Sequence, residues 1–210
     1  MTFRCHPLFF CTLFLLIAFT GIRITAVFLL FCLAHEMGHF ICMARFHVPV
    51  HCVTLSPGGI TIAGDFSHCG YKEEAIIHSM GIAVNILLMC IFRILHKPLY
   101  MEMNLLLACY NSLPLPGHDG AKLLHAILGL ADETHREYGM RIMIWMAHIM
   151  EAVFYVFAAW LFWFCALRDP SAEALLCGTM FWTVLNSISH RFLPFQDHTY
   201  MEKKQSNIKK

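Results

Sequence analysis

Residues 24–46 read ITAVFLLFCLAHEMGHFICMARF, an apolar run with one polar cassette, His35-Glu36-Met37-Gly38-His39. The run has the length of a bilayer-crossing helix, which needs about 20 residues. On a helix, positions i and i+4 share a face, so the imidazoles of His35 and His39 can reach one zinc ion. Glu36 follows the first histidine, near the metal yet free to take a proton. Zinc lowers the pKa of a bound water to about 7, and a carboxylate completes the deprotonation. Ionisable side chains are costly inside an apolar span and are functional by default. The plainer alternative is a pair of interfacial histidines with a snorkelling glutamate. A His-Glu-x-x-His pattern also arises by chance in a chain with 14 histidines, so it needs support from elsewhere in the sequence.

Composition points to the same solvent. Of 210 residues, 58% are hydrophobic and 14% charged, against about 45–50% and 25% in soluble domains. A soluble chain of this length cannot hide that much apolar surface, so the bilayer is the expected environment. A net charge of +1 leaves no basic stripe to neutralise phosphates, which argues against a nucleic-acid partner. The 10 cysteines are scattered singly, Cys11, Cys32, Cys90 and Cys165 among them, with no Cys-x-x-Cys pair. Most stand in apolar runs, where a thiol packs as a small hydrophobe, and no disulfide frame is expected.

Apolar stretches cover residues 7–21, 24–46, 75–96, 99–130, 143–167 and 172–188. The first is short for a span, and a cleaved signal peptide is its alternative reading. The expected fold is an all-α polytopic membrane protein with about six transmembrane helices. Residues 1–195 would form the transmembrane domain and 196–210 a polar, basic tail. With six spans the termini share a side. Arg4, Arg45, Lys72, Lys122, Arg136, Arg141, Arg191 and the tail lysines fall there, against Arg23, Arg93, Lys97 and Arg168 opposite. That bias predicts a multi-pass protein of the cell membrane with both termini cytoplasmic.

Two segments depart from simple helical spans. Val53-Thr54-Leu55, Ser56-Pro57-Gly58-Gly59 and Ile60-Thr61-Ile62 predict a short β-hairpin between the second and third helices. It is either a surface hairpin or an edge that receives substrate. The fourth span contains Asn111-Ser112-Leu113-Pro114-Leu115-Pro116-Gly117-His118-Asp119-Gly120, which no regular helix accommodates. A broken fourth helix is expected, its loose backbone lining protein or a water-filled cavity. A catalytic zinc takes three protein ligands, and Asp119, just past the break, is the candidate for the third. The second and fourth spans run in the same direction. His39 and Asp119 stand about seven and eleven residues before their inner ends, within reach of one ion at about 1.5 Å per residue. His118 is the adjacent rival.

Together these residues resemble the site-2 protease family of intramembrane zinc metalloproteases. The family pairs His-Glu-x-x-His with a distant Asn-x-x-Pro-x-Pro-x-x-Asp-Gly, and both stand here in that order. Between them, His78-Ser79-Met80-Gly81-Ile82-Ala83-Val84-Asn85 is similar to the family's Gly-Pro-x-x-Asn, with Ile82 at the proline. Ala121 occupies a common glycine position, and Gly117-His118 replaces a more apolar pair. The compact layout looks most like the branch that contains the stage IV sporulation factor FB protease.

The resemblance implies that His35, His39 and Asp119 bind one Zn2+ per chain and that Glu36 is the catalytic base. It places Gly81 and Asn85 near the site, with Asn85 holding substrate backbone or the oxyanion. Bonding to a neighbouring helix is the plainer role for Asn85. Asn111 is either a supporting residue or a cap of the broken helix. Backbone left free around Pro114 and Pro116, and the strand edge near Ile60, would pair with an unwound substrate. The implied activity is that of an intramembrane zinc metalloendopeptidase. Its partners are the lipid bilayer and a membrane-embedded or membrane-adjacent protein substrate. Neither a PDZ insertion nor a nucleotide-sensing CBS domain is recognised, so a regulatory membrane protein is a candidate partner. The rival reading is a divalent-metal transporter or membrane metal sensor. It accounts for the many histidines, but not for a glutamate set between two of them at the spacing of a base.

Overall fold

The computed structural model describes residues 2–56, 59–115 and 117–131, with scattered helical positions between 138 and 156. Apart from those positions, the expected fifth and sixth spans lie outside the described residues, as do the tail, Pro116 and Pro57-Gly58. Among the described residues the chain is mostly helical, with five helices and a small sheet.

Strand β1 (Thr2–Cys5) leads into α1 (Leu8–Thr20) and α2 (Ile22–Arg45). Helix α1 stops at Gly21, whose φ of 79° a side chain would resist and whose N–H bonds the Ile17 carbonyl at 2.9 Å. The hydroxyls of Thr20 and Thr25 bond each other at 2.9 Å and tie the two helices across that turn. The 13 residues of α1 rise only about 20 Å, whereas the 24 of α2 rise about 36 Å, against about 30 Å of hydrocarbon. Among the described residues, α2 and α3 (Tyr71–Ile94) are the two helices long and apolar enough to cross a membrane. Their outward faces carry Leu30, Ile41, Leu87 and Ile94, all exposed. A water-facing helix would be polar there.

The hairpin forms as expected, from β2 (Val50–Ser56) and β3 (Gly59–Gly64), with Val53 opposite Ile62 and Leu55 opposite Ile60. A third strand corrects the two-stranded reading. β1 pairs in parallel with β2, from Thr2 opposite Cys52 to Cys5 opposite Leu55, in the order β1-β2-β3. Parallel neighbours need a crossover connection, and the α1–α2 pair supplies it. The N-terminal residues and the hairpin therefore sit at the same end of these helices.

Helix α3 starts with acid in its first turn, Glu73 and Glu74, which suits the positive end of the helix dipole. The Glu73 carboxylate also accepts the Gly70 N–H at 2.9 Å. Helix α4 (Pro98–Ser112) opens on proline, which lacks the N–H a first turn cannot use. It ends before Pro114, and α5 (Asp119–Gly129) begins five residues after Pro114, past Gly117 at φ 87°. The break lets α5 turn away and pack chiefly on α3. A Cβ at Gly120 would collide with the Ser112 carbonyl, so glycine there lets the start of α5 abut the end of α4. Two apolar clusters flank the middle of α2. Phe31, Met103 and Leu107 form one, and Cys42, Met43, Val48, Cys69 and Ile77 the other. His35 and His39 lie between them along the helix.

Candidate metal centre

The α2 histidines face α3, buried to 4% and 6% exposure. Each ring is anchored through Nδ1. His35 Nδ1 lies 2.9 Å from Asn85 Oδ1, and His39 Nδ1 lies 2.7 Å from the Ile77 carbonyl oxygen. Those oxygens only accept, so each Nδ1 carries the proton and each Nε2 presents a lone pair. The two Nε2 atoms stand 3.2 Å apart, and each is 2.8 Å from Asp119 Oδ2. Two lone pairs and a carboxylate oxygen thus converge in a space shielded from water.

That donor set fits a cation. Like-polarity atoms at such separations repel unless a positive charge lies among them, and the second anchor on each imidazole is the arrangement that orients a metal ligand. Tetrahedral bonds of about 2.0–2.1 Å would set ligand atoms roughly 3.3 Å apart, so the triangle needs to open by only a few tenths of an ångström. Two imidazoles and one carboxylate, with a fourth position left for water, are a known catalytic zinc set.

Gly81 makes the convergence possible. A Cβ there would overlap His39 Nε2 and come within 2.7 Å of the His35 ring. Asp119 is the first residue of α5, and its second oxygen faces Lys122, with Oδ1 3.9 Å from Nζ. Glu36 is half-buried, and His39, His35, Asp119 and Lys122 are the titratable groups around it.

The other sequence candidates fall in distinct places. Asn85 is fully buried and meets His35, so it bonds a neighbouring helix and touches the site at once. His118 stands outside the three-donor group. It precedes α5 as the N-cap residue, and its ring packs edge-on against Tyr110 at 4.4 Å. Asn111 does not cap the broken helix: its Nδ2 donates to the Leu107 carbonyl at 3.0 Å, inside α4. Pro114 is half-buried in the break, and Ile60 lies on β3, at one edge of the sheet. Lys122 and the Ile77 carbonyl were not anticipated. The first has a sequence signal, since Asp119-x-x-Lys122 places an acid and a base one helical turn apart. The second is backbone and has none.

No family model matches the sequence, and no curated protein matches it. Among solved structures the chain is similar to the site-2 protease from Methanocaldococcus jannaschii, with a TM-score of 0.61 and 19% identity over 88% of each chain. At that identity the likeness is one of fold.

Proposed function

We propose that this chain is an intramembrane zinc metalloendopeptidase of the site-2 protease type. The observation that carries the reading is the convergence of His35 Nε2, His39 Nε2 and Asp119 Oδ2 beside Glu36 in a predominantly apolar fold. The shared fold supports it at the level of a membrane metalloprotease. The sporulation-factor branch rests on sequence layout alone.

Held by His35, His39 and Asp119, a zinc ion would supply the Lewis acidity and the acidified water that peptide hydrolysis needs. Glu36 would serve as the base, its carboxylate accepting a proton from the attacking water and returning it to the leaving amine. Asn85 and the Ile77 carbonyl keep both imidazoles in the tautomer that points Nε2 inward. Asn85 Nδ2, which has no hydrogen-bond partner among the described residues, is the donor left for a substrate carbonyl. A transmembrane substrate hides its peptide bonds in its own helical ladder and must unwind first. The backbone of the break around Pro114 and the edge of β3 offer the unwound segment hydrogen bonds. Among the described residues the donors form one group, which suits a resident catalytic ion better than a relay of transport sites. The proposal includes six spans, both termini in the cytoplasm and a membrane-protein substrate.

The test is Glu36→Gln. The variant should retain zinc, because Glu36 is not a ligand, while cleavage falls by about 10²–10⁴-fold, the usual contribution of a general base. It should also hold substrates long enough to be recovered from native membranes and identified by mass spectrometry. Undiminished cleavage would remove Glu36 from the mechanism.

A further inference from the structure

Asp119 has two oxygens and the imidazoles meet only one of them. Oδ2 stands 2.8 Å from both Nε2 atoms, whereas Oδ1 is turned to Lys122, 3.9 Å from Nζ. The pairing follows from the helix. Asp119 opens α5 and Lys122 is three residues on, so both project from one face. The Asp119 side chain is 9% exposed and that of Lys122 30%, which places the ammonium at the rim and the carboxylate inside. A lysine stem of this length can cover the approach to the carboxylate while its charged end stays near water. An ammonium beside a cation-binding centre opposes the metal's charge, so its presence there is not explained by affinity.

We propose that Lys122 is a positioning residue of the metal centre: by engaging Oδ1 it leaves Oδ2 alone facing the imidazoles, so that Asp119 binds through one oxygen. This rests on the zinc reading above. A carboxylate free to chelate would bring both oxygens to the ion and fill the position that hydrolysis reserves for water. Lys122 thus guards the open coordination position rather than the strength of binding.

The experiment uses the full chain purified in detergent and loaded with Co2+ in place of zinc, read by visible absorption. The wild type should show the intense bands of a four-coordinate ion. K122M should bind one cobalt with equal or higher affinity, yet with weakened and shifted bands as the second carboxylate oxygen joins. K122R should restore the wild-type spectrum. A K122M spectrum that superposes on the wild type overturns the proposal, and so does a folded K122M that loses cobalt, since lysine would then be a mere structural support. Independently of any variant, zinc-edge X-ray absorption of the wild type should place the carboxylate carbon at the longer distance of a one-oxygen ligand. The shorter distance of a chelating carboxylate would overturn the proposal. Failure of the underlying reading looks different: the wild type would take up no cobalt, or a His35→Ala variant would keep it unchanged.

Discussion

Histidine meets aspartate at the rim of the sheet and again between the helices, and the two meetings share little beyond their chemistry. His51 and Asp65 stand 3.9 Å apart with side chains 62% and 42% exposed. His39 and Asp119 stand 2.8 Å apart with side chains 8% and 9% exposed. At the sheet, water screens the charges and the side chains spend entropy to meet, so the pair is worth little. Between the helices the partners are desolvated, and the other nitrogen of His39 is held by the Ile77 carbonyl. Burial together with that anchor turns a common pairing into a set of aimed lone pairs.

The largest expected effect comes from filling the space on which the buried pairing depends. Gly81→Ala puts a methyl group against both imidazoles. Zinc should be lost, and stability should fall by about 1–3 kcal/mol for an overpacked core position. Zinc content and thermal unfolding in detergent would read both. A Gly81→Ala protein that keeps zinc would mean that the rings have room to spare.

A middle-sized effect should follow loss of an anchor. Asn85→Ala leaves the His35 Nδ1–H without its acceptor, and removal of such a partner typically costs about 10–100-fold in metal affinity. Asn85→Asp keeps the acceptor oxygen and should bind zinc more tightly than the alanine variant. Competition with a chelator would measure both, and equal affinities would show that the anchor is not what orients His35.

At the sheet the expectation is close to nothing. Asp65→Asn should change stability by no more than about 0.5 kcal/mol and leave zinc content untouched. The hydroxyl and N–H of Ser67 hold the Asp65 carboxyl below its usual range. The small stability it contributes is therefore present above about pH 4 and fades as pH falls through the depressed value. A pH series of thermal midpoints for the two proteins should converge at acid pH. A large loss at neutral pH would erase the contrast between exposed and buried pairs.

What could be read in advance was what depends on near neighbours in sequence. His35 and His39 are one turn apart, and Pro114 with Gly117 announces the break within a few residues. Asp119 required counting helical rise along two separate spans. The β1 strand escaped because its partner is reached only after α1 and α2 have brought the chain back, so four residues carried no local sign of pairing. For Asn111 the sequence leaves a supporting role and a cap both open, because an asparagine that bonds four residues back inside a helix is written with the same letter. Gly81 was singled out through resemblance, and the reason for it, two ring edges meeting above a bare Cα, is a matter of helix packing. Lys122 stands three residues after Asp119, a spacing visible in the sequence, but only the structure shows which carboxylate oxygen it faces.

Whether three residues from two distant parts of the chain hold one zinc ion is read from the zinc bound per chain, at limiting free metal, in Asp119→Ala and His118→Ala. His118→Ala should keep close to the wild-type content, because the His118 ring packs on Tyr110 outside the donor group. Asp119→Ala should lose zinc, since two imidazoles and water remain. An Asp119→Ala protein that holds zinc as tightly as wild type, while His118→Ala loses it, would give the third ligand position to the histidine instead.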